Sequence, residues 1–118
     1  MYVTNIKSTK ELKTPSGKSV WWLLPREIGT PNFEMRYFEV KKGVEGKEEK
    51  HPFEHEVFVV RGEGVIKSEG REVKLNPGML SLLLQMSYTS FLILMKSLLA
   101  LYVLSPMGAR IILRLKVS

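Results

Sequence analysis

"EVFVVRGEGVIKSEGREVKLNPG", residues 56–78, alternates strand chemistry with turn chemistry three times. "EVFVV" is β-branched and aromatic and runs into "RGEG". "VIKS" runs into "EG", and "REVKL" into "NPG". Short apolar runs separated by glycine, asparagine and proline at this spacing predict strands of a β-barrel or sandwich. Upstream, "SVWWLL" (19–24) is a further strand candidate between the turn segments "TPSG" and "REIGTPN". In "NFEMRYFEV" the apolar phase runs Phe33, Met35, Tyr37 and then slips to Phe38 and Val40. Such a slip suits a bulge or a strand buried on both faces. No stretch before residue 78 carries a helical period, so the fold class is all-β.

The chain has 118 residues, enough for one domain with one core. It has no cysteine, which excludes disulfides, thiolate nucleophiles and cysteine-based zinc sites. The net charge of +6 is unevenly spread. All 12 acids are glutamates before residue 78, together with 14 of the 18 Lys and Arg, so that region is only about +2 (14 − 12). No basic stripe with interleaved aromatics is present, and nucleic acid is not an expected partner. The opening "MYVTNIKSTK" lacks the apolar core of a secretory signal, and a cytoplasmic protein is expected.

Beyond Gly78 the composition changes abruptly. Residues 79–118 contain no acid and are dominated by leucine. Residues 79–104, with Lys96 their one charge, are apolar enough for a membrane span. They also contain runs of strand character, "YTSFLIL" and "LALYVL". A span joined directly to "VKLNPG" would leave a half-built barrel with open strand edges, so buried strands are the stronger expectation and a tail-anchored membrane protein the weaker.

The chemistry-bearing residues lie just before the opening stretch. "EKHPFEH" places Glu49, His51 and His55 in sequence parity, so on an unbroken strand they would share a face. Neutral imidazole with a carboxylate is a metal-ligand combination, and strand-end histidines with no such role are the plain alternative. Trp21, Trp22 and Phe53 could line a small-molecule or carbohydrate site, or simply fill the core.

The spacing Gly43, Glu49, His51, His55, Gly62 resembles the first motif of the cupin family, G-x5-H-x-H-x3-4-E-x6-G. It is especially similar to small cupins in which a third histidine replaces the motif's glutamate. The resemblance covers roughly residues 20–78. It implies a double-stranded β-helix, a jelly-roll-like barrel. It further implies a divalent or transition metal (Mn, Fe, Ni, Cu or Zn) held by His51 and His55, with Glu49 in place of the first histidine. An oxygenase or isomerase type of activity and a homodimer formed through sheet edges and the "YVTNI" segment are also implied. The alternative within the fold is a non-catalytic small-molecule-binding barrel.

The family's fourth ligand is a histidine in a second motif, G-x5-P-x-G-x2-H-x3-N. Gly78 is placed to open that motif, yet the chain has no histidine after His55. A one-base shift of reading frame after Gly78 supplies the missing pattern. Joining the last base of each codon to the first two of the next, Gly78/Met79 permits Asp, Leu84/Gln85 permits Pro and Gln85/Met86 permits Asn. Tyr88/Thr89 permits only His or Tyr, and Leu92/Ile93 permits Asn. The second frame can therefore encode a histidine and an asparagine at the motif's spacing. The expected consequence is a chain with an incomplete metal site.

Overall fold

Each strand expected before Gly78 forms, and for a visible local reason. A computed structural model of the chain describes residues 1–15, 17–44, 54–84, 89–92 and 99–106. Strands β1 (Glu11–Lys13), β2 (Ser19–Leu24) and β3 (Phe33–Val40) are followed by β4 (His55–Arg61), β5 (Gly64–Ser68) and β6 (Arg71–Leu75). Beyond Gly78 come β7 (Leu80–Leu83), β8 (Thr89–Leu92) and β9 (Leu99–Pro106). The described part of the acid-free tail is therefore strand. Among the described residues no helix is long and apolar enough to cross a membrane.

Two sheets form, ordered β1-β2-β3-β9-β4-β7 and β6-β5-β8. From β4 onward the chain passes between them, except within the β5–β6 hairpin. That hairpin turns on two residues, Glu69 (φ 50°) and Gly70 (φ 76°), between paired Ser68 and Arg71. Positive φ at both central positions is the conformation whose twist matches the flanking strands. The "NPG" turn returns the chain to the large sheet. Met79 N–H donates to Asn76 O (3.2 Å), with Pro77 preset for the second turn position and Gly78 at φ 90° in the third. Gly78 and Met79 then bond Val59 (2.9 and 3.0 Å), which extends the β4–β7 ladder to the turn itself.

The core lies between the sheets. Val40, Val57, Val59, Leu83 and Val103 from the large sheet meet Ile66 and Leu75 from the small one. Val59 and Leu75 are completely buried. The phase slip in "NFEMRYFEV" is a strand covered on both faces. β3 pairs without interruption with β9 from Phe33–Pro106 to Val40–Leu99. The bulge lies instead on β2, between Trp22 and Leu24. Inward, β3 presents Phe38 and Val40 to the core. Outward, Tyr37 is sandwiched between Trp21 (5.3 Å between ring centroids) and Tyr102 (5.2 Å). This aromatic row ties β2 and β3 to the tail strand β9.

Candidate functional site

Strand alternation decides which residues can meet inside the barrel. Because Val57 and Val59 face the core, His55 on the same strand faces inward too. Val103 pairs with both Val57 and Arg36, so Arg36 on β3 and Ser105 on β9 share that face. Successive rows therefore cross the inner surface of the large sheet. One holds Glu34, Ser105, His55 and Leu83, and the next holds Trp22, Arg36, Val103, Val57 and Ser81. One end of the inner face is polar, and beyond it the described inward residues are Val20, Phe38, Val59 and Val40.

The polar end is hydrogen-bonded. Arg36 Nη2 donates to Ser105 Oγ at 2.8 Å, and Ser105 Oγ lies 2.6 Å from His55 Nδ1. With Nδ1 engaged, Nε2 is the ring nitrogen that a metal or ligand would use. Arg36 is about nine-tenths buried. Its guanidinium carbon lies 5.0 Å from the Trp22 ring centroid and 5.1 Å from that of Phe38, within cation–π range of both. Glu34, almost fully buried, accepts from the Arg26 backbone N–H at 3.0 Å. That contact secures the short 3-10 turn Arg26–Ile28 to the end of β3.

Of the residues singled out from the sequence, His55 lies in this polar row. Glu49, His51 and Phe53 lie outside the described residues. Trp22 faces the interior, whereas Trp21 does not. Neighbouring strand residues point to opposite faces, and Trp21 stacks on Tyr37 outside the barrel, so it cannot line an interior site. Among the described residues no three of His, Asp and Glu converge as a metal-holding group. Arg36, Ser105 and Glu34 were not singled out. The available signal was the phase slip: counting back from Phe38 and Val40 puts Arg36 and Glu34 on the inward phase.

A separate groove of about 500 Å³ lies on the outer face of the large sheet, lined by Met35, Glu56, Phe58, Leu80, Leu82 and Tyr102 among others. These six residues lie on the opposite face of the sheet from His55.

No family model and no curated protein matches the chain. Its structure is similar to solved structures of cupins and cupin-like enzymes. The polyketide cyclase RemF from Streptomyces resistomycificus is 19% identical with a TM-score of 0.83, covering 91% of this chain and 80% of its own. A cupin 2 domain-containing protein from Halorhodospira halophila is 26% identical (TM-score 0.73, 81% and 68%). An RmlC-like cupin from Shewanella frigidimarina is 15% identical (TM-score 0.79, 92% and 93%). The architecture is thus the all-β cupin barrel, and the chain is a small cupin-superfamily protein.

Proposed function

We propose that this chain is a small-molecule-binding cupin barrel whose metal site, formed from Glu49, His51 and His55, is too incomplete to hold a metal tightly. The observation that carries this reading is the Arg36–Ser105–His55 chain of contacts. A permanently charged guanidinium bonded to the same hydroxyl as the imidazole disfavours a dication beside His55 and favours an anion or dipole there. The sequence points the same way. It offers a glutamate where the motif has its first histidine, and no histidine after His55. Metal-centred oxygenase or isomerase chemistry requires a complete ligand set with an open position, so this chain binds rather than converts its ligand.

The reading extends to the tail. A one-base shift after Gly78 accounts for both the missing second-motif histidine and the loss of every acid at that point. The coding DNA tests it: a frame that gives no histidine at the Tyr88/Thr89 position removes the explanation. A homodimer in the cytoplasm belongs to the same reading. It is supported by β7, an edge strand among the described residues, and by Phe33, Phe58, Leu80 and Leu82, exposed on the outer face.

Metal analysis and titration of the purified protein test the central claim. Zinc or manganese is expected to bind substoichiometrically and to be removed by a mild chelator. One tight equivalent per chain would overturn it. The frame-restored protein should bind at least ~100-fold more tightly, since even the loss of groups outside the ligand shell costs 10–100-fold.

A further inference from the structure

We infer that Arg36 is the ligand-recognition residue of this barrel and that it takes a carboxylate on a small molecule with an apolar body. The inference rests on the small-molecule-binding reading and names the chemistry of its ligand.

Three features of Arg36 carry it. Its side chain is on the inner face, about nine-tenths buried, so its charge acts inside the barrel where water screens it little. Its plane is fixed in advance, by Trp22 and Phe38 at 5.0 and 5.1 Å and by the Nη2 bond to Ser105. A fork held this way loses little side-chain freedom on forming paired N–H···O bonds, for which a carboxylate has the matching geometry. The surroundings are also graded. The row beside Arg36 supplies His55 and Ser105, its own row supplies Val57 and Val103, and the row beyond supplies Phe38 and Val59. A ligand charged at one end and apolar at the other matches that gradient. One guanidinium against two aromatic faces suits a singly charged planar group better than a doubly charged phosphate.

Benzoate is the probe, with benzamide as its neutral isostere. The chain has two tryptophans. Trp21→Phe on the outer face therefore leaves Trp22, stacked on Arg36, as the one tryptophan reporter. Benzoate is expected to change its fluorescence saturably, and benzamide to bind at least ~10-fold more weakly, the worth of hydrogen bonds to a charged group. Arg36→Lys keeps the charge and loses the fork; it should weaken benzoate by ~10-fold while circular dichroism and the melting profile stay those of a folded barrel. Arg36→Met should abolish the difference between the two probes. Equal binding of benzoate and benzamide, or benzoate affinity unchanged in folded Arg36→Lys, would overturn the role of Arg36 and leave the binding barrel standing. Inorganic phosphate displacing benzoate would overturn the choice of carboxylate. Binding of neither probe would overturn both readings.

Discussion

Strands β4 and β7 are hydrogen-bonded neighbours that come from opposite sides of Gly78. In β4 the inward positions are His55, Val57 and Val59, and the outward ones mix Glu56, Phe58, Val60 and Arg61. In β7 the inward Leu83 is 7% exposed, whereas outward Leu80 and Leu82 are 76% and 55% exposed. The first strand has a face chosen by its pattern; the second has leucine on both faces. A one-residue slip of β4 would move valines into water and glutamate into the core. The same slip of β7 would turn leucines inward in place of Ser81 and Leu83, at no cost in buried polarity, so its register rests on the partner strand and the "NPG" turn.

The largest effects should come from the shared core, where the two regions ought to behave alike. Leu75→Ala, at a fully buried site before Gly78, should lower the unfolding free energy by about 3 kcal/mol in urea denaturation. Leu83→Ala, in the tail, should cost about 2 kcal/mol. A cost near zero there would show that the tail strand adds no packing and would break the parallel with β6.

An intermediate effect is expected where the regions join. Tyr37 lies between Trp21 and Tyr102, and its hydroxyl donates to Glu39 Oε2 at 2.7 Å. Burial first, and the Glu39 carboxylate second, push its pKa from the ordinary value of 10.0 up to about 12. The folded chain thus keeps a proton that the unfolded chain loses near pH 10. This contribution to stability is fully present below that pH and falls away as pH rises towards 12. Tyr37→Phe should flatten that alkaline decline in melting temperature; an unchanged decline would dissociate it from the aromatic row.

The smallest effect is expected on the outward side of β7. Leu82→Gln should alter stability by no more than about 0.5 kcal/mol, against the larger loss for its neighbour Leu83. Sizing by light scattering should show less self-association than the parent chain. A loss as large as that of Leu83→Ala would mean that both faces of β7 are buried, contrary to the contrast with β4.

Much of the fold could be read because most strands before Gly78 combine β-rich composition with residues that force turns. "SVWWLL" and "REVKL" coincide with β2 and β6. The turn at Glu69–Gly70 follows from local chemistry that needs no distant partner. Less of the candidate site was legible. His55 was found through motif spacing, but Ser105 lies 50 residues away on a strand with no polar pattern to mark it. Arg36 was hidden because Met35 and Tyr37 on either side made the outward phase of β3 look like the buried one.

The sequence by itself determined the all-β class, the turn positions, the lack of cysteine chemistry and the placing of both histidines within five residues, because these depend on residue type and short-range spacing. The tertiary structure decided that Trp22 turns inward and Trp21 outward, that the tail's strands close the large sheet, and that Arg36, Ser105 and His55 meet. Those outcomes depend on sheet register across β3, β9 and β4, which pairs residues far apart in the chain. A leucine-rich tail carries no record of that pairing.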